Sequence, residues 1–478
     1  MPTAYVVGSG PNGLAGAVRL AEAGLDVTVL ERADRIGGGM RTSENTLPGL
    51  LHDDCSAFHP TGAASPYLQS LGLERHGLQW LWPEIQYAHP LDDGSAGLAF
   101  RSVESTAEGL GRDGASWARL FGPLARQYDA LAAELFRPVL HVPRHPLALA
   151  RFGPAALLPA TVLARRWQDP QAKALYGGVA AHLQGRLDRP VSAAVGLMLG
   201  AAAHAYGWPV AKGGSQAIAT ALAARLTDLG GRIETRAEVT AYDQIGDADV
   251  VLFDLSPPAV ARILGERLPQ RAAAAYRRFR FGPGAFKVDL AIEGEIPWRN
   301  PDVGRAGTVH LGGTLEETAA AEADVVAGRM PWRPFVLLGQ QYVADPTRSA
   351  GGLNPVYAYA HVPAGWVGDA TDAVVGQIER FAPGFRHRIR ATFTRGPAEL
   401  EVYNPNYVGG DIATGRNSPV QVVMRPRISL HPYRTGAAGA YLCSAATPPG
   451  AGVHGMGGFH AAETALADLE PRRERGNA

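Results

Sequence analysis

The sequence predicts an α/β fold built on a doubly wound parallel sheet, and three observations predict it. A strand at 4–7 runs into Gly8-x-Gly10-x-x-Gly13, a helix follows to Ala23 with Gly24 as its stop, and a second apolar strand ends on Glu31. The alternation resumes near 212, where Ile218, Leu222, Leu226 and Leu229 form a helical stripe before a strand at 232–239 and an unbroken apolar run at 248–254. A strand at 439–444, a glycine-rich loop and a helix at 459–469 bring it back once more. Unbroken apolar strands separated by helices belong inside a parallel sheet covered on both faces.

Each part of the opening unit has a reason. Gly8 permits the tight turn, Gly10 in Gly10-Pro11-Asn12 lets backbone N–H groups approach a pyrophosphate, and Gly13 lets helix and strand pack closely. The phosphates then rest on the positive end of the helix, and Glu31 takes ribose hydroxyls. The strand, helix, second strand and acid together make this a dinucleotide site, with FAD and NAD both open at this point. Beyond Glu31-Arg32 comes a second glycine loop, Gly37-Gly38-Gly39-Met40-Arg41. Ligands of doubly wound sheets lie outside the carboxyl ends of the strands, so this loop is expected to touch the same dinucleotide, with Arg41 on a phosphate or a ring carbonyl.

Composition narrows the rest. A chain of 478 residues exceeds what one core usually supports, so two or three domains are expected. Lys plus Arg equals Asp plus Glu at 45 each, which argues against nucleic acid as a partner. Cys55 and Cys443 are the two cysteines and no C-x-x-C exists, which removes dithiol chemistry; no metal site is expected. The chain enters a strand at once, with no basic and then apolar leader, so a cytoplasmic protein is the default. Residues 191–210, with Gly196, Gly200 and His204, fit a buried helix better than a spanning one. The apolar stretch 147–167, interrupted by Arg151, Pro154 and Pro159, is expected as a surface helix, with a membrane-dipping lip as the other reading.

Residues 47–66, which include His59, are small and polar and suit a cavity lining. From 80 to 206 the pattern is helical, with Leu120, Leu124, Tyr128, Leu131 and Leu135 at three- and four-residue steps. Ser215 looks like the cap of the helix that follows it. Period-two alternation at 286–293 predicts a strand with one wet face, 335–342 and 356–362 behave similarly, and a helix covers 369–381. The segments 1–75, 210–280 and 425–470 are expected to form the dinucleotide domain. Segments 76–209 and 281–424 form a substrate domain with a mixed or antiparallel sheet and a helical insertion, and 471–478 is a tail.

Gly450-x-Gly452-x-x-Gly455 repeats the fingerprint, but no second strand follows it, so it cannot be a second βαβ unit. Its better use is a loop and helix N-terminus aimed at an electron-rich part of the one bound ligand. Three separated segments with ligand-facing glycine loops suit a long, bent dinucleotide, which makes this a Rossmann-type FAD-binding domain built from discontinuous segments.

Those residues carry a resemblance. The chain resembles the FAD-dependent phytoene desaturase-like oxidoreductases through 7–13, Glu31, 35–39, 52–60, 404–411 and 441–458. The resemblance implies that Gly8, Gly10 and Gly13 hold the FAD pyrophosphate and Glu31 the adenosine ribose. It implies that Gly38 and Gly39 sit near the diphosphate or flavin, that Val239 contacts the adenine side, and that Val453, His454, Gly455 and Met456 close over the flavin. The wider class often has Arg directly after the paired glycines; here Gly39 stands there and Arg41 comes two later. Covalent-flavin amine oxidases attach through a cysteine upstream of the final strand, and Cys443 lies within it, so noncovalent FAD is expected.

The expected activity is hydride transfer at flavin N5 to or from a largely apolar organic substrate, with oxygen, a quinone or a protein carrier as acceptor. His59 and His454 are the candidate proton handlers, and Asn404, Tyr407 and Asp411 the candidate polar groups of the substrate pocket. Two other readings stay open: an amine oxidase in which Tyr403 and Tyr407 guide a neutral amine, and a flavoprotein that binds or regulates without turnover.

Overall fold

The computed structural model describes residues 1–476, the side chains from 471 onward excepted. In chain order β1 (Thr3–Val7), α1 (Pro11–Glu22) and β2 (Asp26–Glu31) come first, followed by β3 (Ile85–Pro90) and β4 (Ala96–Phe100). A helical run holds α2 (Gly114–Arg126), α3 (Tyr128–Leu135), α4 (Pro146–Ala156), α5 (Pro170–Ala180) and α6 (Ala193–Ala205). Then come α7 (Gln216–Asp228), β5 (Arg232–Thr235), β6 (Val250–Phe253), β7 (Gly284–Glu293), β8 (Ala306–Leu311), β9 (Val336–Gly339) and β10 (Leu353–Val362). The chain closes with α8 (Thr371–Phe381), β11 (Ile389–Arg395), β12 (Ala440–Leu442) and α9 (Met456–Gly476).

Strands from three distant parts of the sequence make one parallel sheet in the order β12-β6-β1-β2-β5. Its apolar runs are buried on both sides. Val6, Val29 and Leu252 face the helices α1, α7 and α9, while Val251, Phe253 and Val260 pack in a smaller core on the other face. The starts of α1 and α9 nearly touch: a Cβ at Gly458 would stand 1.8 Å from the carbonyl oxygen of Asn12. Glycine is the one residue that allows this approach.

The second sheet has the order β11-β7-β10-β9-β8-β3-β4 and is antiparallel except where β8 meets β3. Period-two alternation sorts its side chains. One face carries Val288, Leu290, Val356 and Val309 against Val374, Ile378 and Phe381 of α8. Register places Lys287 beside Tyr359, Tyr359 beside Leu337 and Leu337 beside His310 on the opposite face. That second face is buried too, with Lys287 and Asp289 on a strand closed off from water except at Glu293. The wet face expected at 286–293 is therefore corrected: its polar residues point into the protein, where Asn45, His52 and Tyr357, not solvent, cover Lys287 and Asp289.

Other expectations shift in detail. Residues 80–100, expected as helical, hold β3 and β4, whose pairing with β8 outweighs a weak local pattern. The strand expected at 335–342 stops at Gly339 and a short helix, Gln341–Ala344, follows. Cys443 lies one residue beyond β12. The backbone of α9 continues to Gly476 through most of the expected tail, and 477–478 lie outside the described residues.

Among the described residues no single helix is long and apolar enough to cross a membrane. The stretch expected as a surface helix is α4 and a second piece, Ala160–Arg166, bent at 94°. Its outer side carries Leu147 and Leu157, 74% and 64% exposed.

Candidate functional site

A cavity of about 1380 Å³ runs from the carboxyl ends of the parallel sheet, past the polar face of the second sheet, to the α4 lip. That exceeds the room a single small ligand takes and fits a dinucleotide with a substrate beside it.

The inner end is a cradle. Gly8 turns at φ +101°, and a Cβ at Gly13 would stand 2.2 Å from the Gly8 carbonyl oxygen, so loop and helix close only with glycine at both places. Gly8, Gly10, Pro11 and Asn12 line the cavity at the N-terminus of α1, whereas Gly13 lies just behind the wall. The Gly13 N–H donates to Oδ2 of Asp254 at 2.9 Å, so the carboxylate at the end of β6 serves as the cap that α1 lacks within its own turn. Burial raises the Asp254 carboxyl to about 7, with the nearby Glu31 charge adding to the rise. Glu31 lines the wall and ties two loops together. Its Oε2 accepts from the Ser9 N–H at 3.0 Å and the Ser9 hydroxyl at 2.5 Å, and its Oε1 accepts from the Ala33 N–H at 2.8 Å and Arg41 at 3.3 Å. Arg32 and Val239 stand on the same part of the wall. The glycine cradle, the helix N-terminus and the acid fit the pyrophosphate and ribose of a dinucleotide.

Gly38, Gly39 and Arg41 continue the wall, with Met40 buried behind it. The Tyr403 hydroxyl donates to the Gly38 carbonyl at 2.7 Å, and the Arg41 guanidinium lies 5.3 Å from the Tyr403 ring centre. Tyr403 and Tyr407 stack with ring centres 6.4 Å apart, and both line the cavity with Asn404. Asp411 lies beneath. Its carboxylate accepts the N–H groups of Gly282, Ala413 and Gly415 at 2.6, 2.9 and 2.8 Å and shapes that loop from behind.

The two candidate histidines separate. His59 lines the cavity; its Nε2 lies 2.8 Å from Ser215 Oγ, which donates onward to the Ser56 carbonyl at 2.7 Å. With the hydroxyl proton committed there, His59 carries its proton on Nε2 and leaves Nδ1 as an acceptor. Burial lowers it to about 4, so it is neutral. His454 lies behind the wall formed by Gly450, Gly452 and Val453, as do Gly455 and Met456. Its Nδ1 accepts the Met456 N–H at 3.1 Å and its carbonyl accepts the Ser65 hydroxyl at 2.6 Å, which is a loop-fixing role. Ser215 does not cap α7 with its own side chain: Asp53 accepts its N–H at 2.7 Å and Thr42 Oγ1 accepts the Gln216 N–H at 3.1 Å.

A buried charge layer under this lining escaped the sequence reading. Arg348 donates to Asp53 at 2.5 Å, to Asp345 at 3.3 Å and to the Ala211 carbonyl at 2.9 Å, with no part of its side chain exposed. Burial would raise Asp53, but Arg348 and the Ser215 N–H hold it below its usual value. Lys287 pairs with Asp289, which also takes the Asn45 amide at 3.0 Å, and the Lys287 ammonium lies 4.5 Å from the Tyr357 ring centre. The available signal was the alternation at 286–293, which put Lys and Asp on one face. Cys55 lies on the wall with its thiol raised to about 11 by burial, and Cys443 is fully buried off the wall.

The outer half is largely apolar, with Arg186 and Arg189 as charged groups on the wall beside the lip. Leu135, Leu149, Phe152, Ala156 and Leu157 lead in from the lip toward Met198, Leu337 and Tyr359. Among the described residues the acids on the cavity wall are Glu31, Glu238 and Asp254, all at the nucleotide end.

Comparison with known proteins agrees with this geometry. Residues 6–71 match the family model of the NAD(P)-binding Rossmann-like domain. The chain is 25% identical to the pyridine nucleotide-disulfide oxidoreductase domain-containing protein 2 of Rattus norvegicus, across 98% of this chain and 94% of that one. It is 26% identical to hydroxyneurosporene desaturase of Cereibacter sphaeroides, across 99% of both. An oxidoreductase of Methanosarcina mazei shares the fold, with a TM-score of 0.66 at 18% identity over 96% of this chain and all of that one. Putrescine oxidase does so with a TM-score of 0.60 at 17% identity over 98% of this chain and 99% of that one.

Proposed function

With the resemblance to the phytoene desaturase-like oxidoreductases holding along the whole chain, we propose that the protein is an FAD-dependent oxidoreductase acting on a long, uncharged, largely apolar substrate. The observation that carries this reading is one continuous cavity with a phosphate cradle at one end and, at the other, a largely apolar half that holds no acid among the described residues and has Arg186 and Arg189 at its edge. The residues that would hold FAD noncovalently are the 8–13 loop, for its pyrophosphate, and the 38–41 loop, Tyr403 and Val453, for its ring system. Bound there, it supplies acceptance or delivery of a hydride equivalent, the step that side chains cannot perform. The chain excludes water, aligns the substrate through Tyr357, Tyr359 and Tyr407, and offers Nδ1 of His59 as a proton acceptor. Oxygen, a quinone or a protein carrier takes the electrons. An amine is the weaker reading, since a cationic amine finds no carboxylate in the outer half of the cavity.

The lip suggests where the substrate comes from. Residues 136–168 contain five arginines and no acid, and Val142, Leu147 and Leu157 stand out from them, 88%, 74% and 64% exposed. A cytoplasmic protein with this face would sit peripherally on an anionic bilayer, its cavity mouth toward the lipid.

The test is to purify the protein, release its flavin by denaturation, and screen isoprenoids, apolar alkenes and amines anaerobically for bleaching, with and without phosphatidylglycerol vesicles. Bleaching by uncharged apolar compounds, increased by vesicles, is expected. Bleaching by amines alone, or stoichiometric oxidation of NADH, would sink the reading.

A further inference from the structure

The outer half of the cavity is largely apolar; besides Arg186 and Arg189 near the lip, its polar groups gather where β8 meets the turn after α5. His182, in the turn Ala181–Leu183, lines the cavity and is half-buried, while its Nε2 lies 2.9 Å from Nε2 of His310 on β8. The two rings stand perpendicular, 5.1 Å apart. His310 is fully buried and its Nδ1 has no partner among the described residues. Thr308, two residues earlier on the same face of β8, is on the cavity wall with its hydroxyl unpartnered. Tyr87, paired with Thr308 across β3, is fully buried and its hydroxyl is unpartnered as well. Three buried polar atoms without partners in one patch are costly, and native interiors rarely keep such a group without a use.

The patch has a definite chemistry. Burial lowers His182 to about 3 and His310 well below the usual histidine range, so both rings are neutral. Two neutral imidazoles facing each other through Nε2 share one proton. If His310 donates it, His182 carries its other proton on Nδ1 and presents a donor; if His182 donates it, Nδ1 is an acceptor. Gly178 of α5 packs directly on this patch: a Cβ there would stand 2.6 Å from both the His310 Cβ and His89 Nδ1, so only glycine lets α5 approach so closely. A hydroxyl or carbonyl oxygen can match either tautomer, and Thr308 lines the same wall.

We propose that His182, held by His310 and joined by Thr308, forms a binding subsite for one uncharged oxygen on an otherwise apolar substrate. This rests on the reading of the outer cavity as the seat of a long apolar substrate and adds where its polar end, a hydroxyl or a carbonyl, is read.

The test uses the holoenzyme and two probes, farnesol and the hydrocarbon farnesene, with dissociation constants taken from the perturbation of the flavin spectrum. Farnesol is expected to bind about tenfold more tightly, the size of one well-formed buried hydrogen bond. His182→Leu should bring the ratio close to one while leaving flavin content and farnesene affinity unchanged, and His182→Gln should retain part of it. Thr308→Val, nearly isosteric, should lower the ratio by a smaller factor and keeps the test available if His182→Leu fails to fold. An unchanged ratio in both variants, or no preference in the native protein, overturns the subsite while the apolar cavity stands. If neither probe binds, the apolar-substrate reading falls and takes the subsite with it.

Discussion

Arg348→Met is expected to cost about 3–5 kcal/mol of stability, because it strands the fully buried carboxylates of Asp53 and Asp345 without their counter-charge. Methionine has similar bulk, so packing contributes little to that figure. The loss should spread to the site: Asp53 also holds the Ser215 N–H, and Ser215 orients His59, so flavin content and turnover should fall with stability. The measurement is denaturant unfolding of the variant beside Arg348→Met/Asp53→Asn. The double variant should recover part of the loss, since the amide no longer needs a counter-charge. Equal or greater destabilisation in the double variant would mean that the arginine acts through its shape and its bond to the Ala211 carbonyl.

Asp254→Asn should flatten the pH dependence of stability. The carboxyl is raised from its ordinary 3.8 to about 7 in the folded protein. Between those values the native state keeps a proton that the unfolded chain has released, so stability falls as pH rises through this window and the whole penalty is present above pH 7. The full shift corresponds to on the order of 4 kcal/mol. Asparagine still accepts the Gly13 N–H through its amide oxygen but carries no charge. The variant should therefore be more stable than the native protein at pH 8 and similar to it at pH 4. It should also hold FAD more tightly at high pH, where an ionised Asp254 faces the pyrophosphate. Parallel melting curves for the two proteins across pH 4–8 would refute the assignment.

The nucleotide half was legible because its chemistry is local. Gly8, Gly10, Gly13 and Glu31 lie within one βαβ unit, and turn, phosphate cradle and acid follow from spacing along the chain. The return of the sheet at 250–253 and 440–442 was legible for a similar reason, as unbroken apolar runs have few other places to go. The substrate half was not. His182 follows an ordinary helix and His310 sits in an ordinary strand, 128 residues apart, and only the pairing of β8 with its neighbours brings them together. The alternation at 286–293 revealed a strand but not what its polar face meets, because a buried ion pair and bulk water call for the same residue types, and the partners Asn45 and His52 lie far away in the sequence. His454 misled for the opposite reason: it lies in a glycine loop that does reach the cavity, yet its ring turns back to fix the loop.

The order of the parallel sheet also sets a timetable for synthesis. β12 closes that sheet beside β6, and α9 packs against α1, so elements made early wait for partners made more than four hundred residues later. Until the ribosome has released the segment around Gly458, a nascent chain carries half a nucleotide cradle with its apolar strand edge open. Such a chain is slow to fold and exposed to aggregation. Removing α9 is therefore expected to uncover α1 at the cradle, a site encoded more than four hundred residues earlier.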